Sequence, residues 1–103
     1  MNGRFGKADL AAAADTDIYT VPAATVTTAT VAFVNRTAAE VLVRLAVRSA
    51  ALAATDYLEY DAAVPANGVL ERTGIVLGAG EIITVRASAI GVSVRAHGFE
   101  EVA

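Results

Sequence analysis

The chain has 103 residues, of which 55% are hydrophobic and 18% charged, with a formal net charge of -3, one His and no Cys. That length suits a single domain with a real but thin core. The acidic balance argues against a dedicated nucleic-acid binder, and the lack of Cys excludes disulfides, thiolate metal sites and thiol nucleophiles together. No apolar run approaches the roughly 20 residues that span a bilayer, so no membrane partner is expected. The start Met-Asn-Gly-Arg-Phe-Gly-Lys lacks the apolar stretch of a secretory signal, which points to synthesis in the cytoplasm.

Residues 1–16 differ from the rest. Arg4, Phe5 and Lys7 precede an Ala-rich stretch and the polar Asp15-Thr16-Asp17. They read as an N-terminal arm, either loosely docked or ordered against a neighbouring subunit, with Phe5 as anchor and Arg4 and Lys7 pairing with acids. On that reading, deleting residues 2–9 leaves the β fold intact. Residues 17–103 then form the folded domain. From Asp17 onward a two-residue period takes over, the mark of strands whose successive side chains face opposite ways. A short strand over 18–21 ends at Pro22. Residues 25–34, rich in Thr and Val, read as a long strand closed by a turn at Asn35-Arg36-Thr37.

Alternation is clearest over 41–48, where Val41, Val43, Leu45 and Val47 share one face and Arg44 and Arg48 lie on the other. A loop over 49–55 precedes a strand at 56–61. Pro65-Ala66-Asn67-Gly68 is a strong turn signal. Two short strands, 69–73 and 75–77, flank Gly74 as a candidate bulge. Gly78-Ala79-Gly80-Glu81 reads as a hairpin turn into a strand at 82–87, and Gly91 closes the turn before a last strand at 92–99, with Val92, Val94 and Ala96 inward. About seven or eight short strands at this spacing predict an all-β fold, a single antiparallel β-sandwich with jelly-roll-like connectivity. Ala supplies much of the hydrophobic content, and each buried Ala adds little apolar area. Such a sandwich is expected to be marginal alone and to gain stability by association.

Chemistry-bearing patterns are sparse. His97 is the only imidazole and reads as a surface or interface residue, because no Gly-x-Ser-x-Gly or similar signature supplies it with a nucleophile. Asp56, Glu59 and Asp61 offer oxygen ligands, yet Asp56 and Glu59 point to opposite faces of a regular strand, so a solvated or salt-bridged face is the plainer reading. Neither a metal nor a cofactor is expected. Gly78-x-Gly80 is not followed by a helix and cannot serve a phosphate. Tyr57 and Tyr60, with Tyr19, suggest a stacking platform for a sugar beside nearby carboxylates. Arg44 and Arg48, with Arg86 and Arg95 on later strands, are available either to acids of the same subunit or to acids across an interface.

The order Tyr19-Thr20-Val21-Pro22-Ala23, a Thr/Val strand closing at Val34-Asn35-Arg36, then Asp56-Tyr57-Leu58-Glu59-Tyr60-Asp61 and Asn67-Gly68-Val69-Leu70-Glu71-Arg72-Thr73-Gly74 resembles small virion proteins of tailed bacteriophages. The similarity continues through Leu77-Gly78-Ala79-Gly80-Glu81 and the ending Gly98-Phe99-Glu100-Glu101. It covers most of residues 10–101 and consists of turn and strand patterns. What it implies is a non-enzymatic structural protein, a capsid decoration or cement protein on the exterior of the virion. Its expected partners are the major capsid protein and two further copies of itself, as a homotrimer at capsid subunit junctions. The candidate capsid or subunit interface is then Arg4, Phe5, Lys7, Arg44 and Arg48. The alternative is a tail or fibre binding module that contacts a host glycan or partner protein through Tyr57 and Tyr60.

Overall fold

A computed structural model describes residues 3–102. Among them run eight strands: β1 (Gly3–Asp9), β2 (Thr16–Thr20), β3 (Thr25–Asn35), β4 (Val41–Arg48), β5 (Tyr57–Val64), β6 (Val69–Leu77), β7 (Ile82–Ala87) and β8 (Val92–Val102). They form two four-stranded antiparallel sheets, ordered β1-β8-β3-β6 and β2-β7-β4-β5. Pairing is nested. β1 pairs with β8, β2 with β7, β3 with β6 and β4 with β5, the pattern of one long hairpin rolled over itself, which is jelly-roll connectivity.

The core lies between the sheets and follows from the two-residue period. On β3, Thr27, Ala29, Val31, Phe33 and Asn35 are buried while the residues between them are not. On β4, Val41, Val43 and Leu45 are buried, with Val47 at the margin, and Arg44 and Arg48 face out. Leu77, Ile83, Val85, Val92, Val94 and Ala96 join them in the interior, together with Leu10, Val21, Val64, Ile75 and Ala87. Its larger members are few, so packing rests on many Val and Ala contacts.

Within the stretch expected as an arm, the described residues include a strand of the sandwich. Gly3–Asp9 pairs along β8, and the register slips between Arg4 and Gly6, leaving Phe5 as the extra residue of a bulge. The bulge turns Phe5 inward, where it is 9% exposed and stacks on Tyr19 with ring centroids 4.8 Å apart. A Cβ on Gly6 would lie 2.2 Å from the Ile18 carbonyl oxygen, so only glycine lets β1 lie this close to β2. Phe5 is therefore a core residue and not an intersubunit anchor. The segment whose deletion was expected to leave the fold intact thus includes a paired strand of the sheet, Gly3–Asp9.

Other differences have local causes. Residues 69–77 are one strand, not two, because Gly74 at φ +69° sits in a bulge that the pairing with β3 passes over. The turns at 65–68 and 78–81 do not close hairpins. Each carries the chain from one sheet to the other, and among the described residues β4 and β5 are the only consecutive strands that pair. Loop 49–56 ends in a short 3-10 turn over Ala54–Asp56, so β5 begins at Tyr57.

The ends of the sandwich are fastened by polar contacts. Asn35, 1% exposed, donates from Nδ2 to the carbonyls of Ala39 (2.7 Å), Val64 (3.1 Å) and Pro65 (3.2 Å), and its Oδ1 accepts from Thr37 N and Oγ1. Along one long side the Tyr19 hydroxyl donates to Glu100, which also accepts from Thr27. Along the other, Arg72 of β6 reaches Glu59 of β5 at 2.7 Å.

Candidate functional site

The structure separates the sequence-predicted interface residues onto opposite faces. Arg44 and Arg48 lie on the outer face of the β2-β7-β4-β5 sheet and are already engaged. Arg44 pairs with Asp61 at 2.7 Å and covers the Tyr60 ring, its guanidinium carbon 4.1 Å from the centroid. That hydrogen bond holds the Asp61 carboxyl below its usual range, against the opposing effect of desolvation. Arg48 donates to Thr84 Oγ1 (3.0 Å), to Asp17 (2.7 Å) and to the Ala50 carbonyl (2.9 Å). Asp17 is held below the ordinary carboxylate value first by the Thr84 hydroxyl, with burial acting against it and Arg48 reinforcing it. Arg86 lies opposite Arg44 on β7 and approaches Asp15 at 3.6 Å.

The acidic trio does not converge. Asp56 accepts from the Ala53 amide, Glu59 pairs with Arg72, and Asp61 pairs with Arg44. Among the described residues no group of three or more His, Asp and Glu gathers to hold a cation. Tyr57 and Tyr60 do meet, edge to face, with centroids 4.9 Å apart. They border a depression of ≈ 420 Å³ with Leu52, Ala53 and Ala54, and Tyr60 is 59% exposed. Tyr19 is elsewhere, half-buried between Phe5 and Glu100, and burial followed by the Glu100 hydrogen bond pushes its hydroxyl up to about 12.

A different picture holds on the outer face of the β1-β8-β3-β6 sheet. Of the eight Lys and Arg residues, five pair with carboxylates: Arg36 with Asp9, Arg44 with Asp61, Arg48 with Asp17, Arg72 with Glu59 and Arg86 with Asp15. Among the described residues the other three, Arg4, Lys7 and Arg95, have no ion pair, and all three lie on this one face. Cross-strand register makes the grouping explicit. Lys7, Arg95, Ala32 and Glu71 form one row across all four strands, and Asp9, Ser93, Val34 and Val69 form the next. Arg4 lies opposite His97 in a third row with Thr30. His97 Nδ1 is buried there without a hydrogen-bond partner among the described residues.

Sequence spacing hides this cluster. Arg4 and Lys7 are three residues apart and would face opposite ways on a regular strand, but the bulge at Phe5 restores them to one side. Arg95 joins them only through pairing of the first strand with the last. Between the cations the surface is apolar and shallowly concave. A depression of ≈ 630 Å³ is lined by Lys7, Asp9, Ala32, Val34, Ser93 and Arg95 together with Ala8 and Val94. Further along the same face Val69, Val76 and Phe99 are 60%, 66% and 67% exposed.

Lys7 directly opposite Arg95 is a like-charge cross-strand pair, an arrangement that is destabilising. The face therefore combines cations that have no ion pair among the described residues with exposed apolar area, a combination suited to an interaction surface. No protein-family model, curated protein or solved structure matches this chain.

Proposed function

We propose that this chain is a non-enzymatic structural protein of a tailed-phage virion that decorates and stabilises the capsid shell, docking through the outer face of its β1-β8-β3-β6 sheet. The observation that carries this reading is the segregation of charge: five cations are neutralised within the fold, and the three that are not share one partly apolar face. On this reading Arg4 and Lys7 belong to the docking face. Phe5 leaves it for the core, and Arg44 and Arg48 leave it for intramolecular pairs.

Edge strands support docking by a face. In β1, β2, β5 and β6 the pairing slips, and each slip leaves its extra residue on the edge strand, whereas the central pairs β3–β8 and β4–β7 run in continuous register. Bulged edges are poor templates for an added strand. Association is then left to sheet faces. In a trimer at shell junctions, as the resemblance implies, one docked face makes the next two contacts intramolecular, so modest affinity per face suffices. The test adds purified protein to particles stripped of it and measures co-sedimentation and thermal release of DNA. Saturable binding that raises the release temperature supports the proposal; failure to co-sediment refutes it.

A second reading rests on the Tyr57–Tyr60 pair and its ≈ 420 Å³ depression. In this reading the chain is a tail or fibre module whose tyrosines stack on a host sugar, with Arg44 and Asp61 beside them for its hydroxyls. Glycan-array binding that is lost in a folded Tyr60→Ala variant favours it over the shell proposal.

A further inference from the structure

We propose that the partner received by this face is an acidic polypeptide segment, in which carboxylates alternate with apolar side chains, lying across the row Lys7, Arg95, Ala32. The proposal rests on the reading of the face as a docking surface and names the chemistry of what docks. Although the whole chain carries a net charge of -3, this corner of it offers Arg4, Lys7 and Arg95 with no carboxylate paired to them among the described residues. A carboxylate seated between Lys7 and Arg95 relieves their mutual repulsion and accepts charge-assisted hydrogen bonds from both. Apolar side chains on the same segment fill the ≈ 630 Å³ depression over Ala32 and Val34. Arg4, one row further along, extends the polar contacts.

Two other occupants fit less well. A second copy, turned about a two-fold axis parallel to the strands, sets the Lys7 of each protomer over the Glu71 of the other, because Glu71 ends the same row on β6. That arrangement matches only one of three cations per protomer and leaves Arg4 and Arg95 without acids. A nucleic acid would find only three cations for its closely spaced phosphates, a weak field for a polyanion. It would also leave Val34 and Val69 without apolar contact.

The test is a titration of isotope-labelled protein, followed by amide chemical shifts, with a peptide of alternating Glu and Leu. A Lys/Leu peptide of equal length and a short DNA duplex serve as comparison probes. The expected result is shifts confined to the rows of Lys7, Ala32, Val34 and Arg95, weakened at least about tenfold in K7E/R95E, the scale on which reversing contact charges acts. Both substituted residues are exposed, and the same spectra report whether the variant is folded. The proposal is overturned if the Glu/Leu peptide causes no shifts or moves only the Tyr57–Tyr60 region, if folded K7E/R95E binds it equally well, or if the duplex binds more tightly. Concentration-dependent shifts of the same residues without peptide identify a second copy as the occupant and overturn it too. Particle binding separates the two levels of the account. Peptide binding without particle binding removes the shell function and keeps the acidic partner; particle binding unchanged in K7E/R95E does the reverse.

Discussion

Replacing Phe5 by Ala discriminates sharply between a first strand built into the sandwich and a detachable arm. Phe5 is 9% exposed, stacks on Tyr19 with an interplanar angle of 17°, and lies at the bulge that brings Arg4 and Lys7 to one face. Truncating a buried Phe to Ala typically costs about 3–5 kcal/mol, and a site on an edge strand, where neighbours relax into the space, belongs near 3. A domain of this size holds roughly 5–15 kcal/mol in total. At about 4–8 °C per kcal/mol, the expected fall in melting temperature is roughly 12–24 °C. Urea unfolding followed by far-ultraviolet circular dichroism measures the loss directly, with Lys7→Ala, an exposed neighbour on the same strand, as the reference. A Phe5→Ala loss within about 0.5 kcal/mol, the range of ordinary surface substitutions, would refute the placement of β1 in the core.

Asn35→Asp puts a carboxylate against the carbonyls of Ala39, Val64 and Pro65 in place of an amide donor, and about 3 kcal/mol or more should be lost in urea unfolding at neutral pH. Gly98→Ala places a Cβ 2.0 Å from the Thr28 carbonyl oxygen at φ +152°, so melting curves should show a loss of at least about 1–3 kcal/mol; an unchanged midpoint contradicts the register of β3 with β8. Stability should also fall at both extremes of pH. The folded-state carboxyls of Asp17 and Asp61 lie below their ordinary value of 3.8, so the stability they contribute is present above that value and is lost as pH drops through the lowered one. Tyr19 is raised from 10.0 to about 12, so its contribution is full below pH 10 and disappears as pH climbs toward 12. Denaturation midpoints measured across pH should lose the acid slope in part in Asp17→Asn and the alkaline slope in Tyr19→Phe.

Half-buried strands were legible because burial on one side writes itself into alternation. Both Val41–Arg48 and Ile82–Ala87 have the boundaries their side-chain pattern predicts. β1 escaped notice for a physical reason. Its alternation is broken by the bulge at Phe5, and Gly3 and Gly6 supply no side chains to alternate. Gly74 likewise divides β6 in the pattern without dividing it in space. Turn residues at 65–68 and 78–81 announce that the chain reverses, but their chemistry does not specify which sheet the next strand joins. The Tyr57–Tyr60 pair was readable from local spacing. The cation face was not, because it depends on the first and last strands lying side by side, a contact between residues some ninety positions apart such as Lys7 and Arg95.

The central claim is that this chain coats a capsid shell, and the amount of it in purified particles tests that most directly. Quantitative mass spectrometry referenced to the major capsid protein should find it in fixed proportion to shell subunits. Trace amounts proportionate to a tail or fibre, or absence from the particles, would contradict the account.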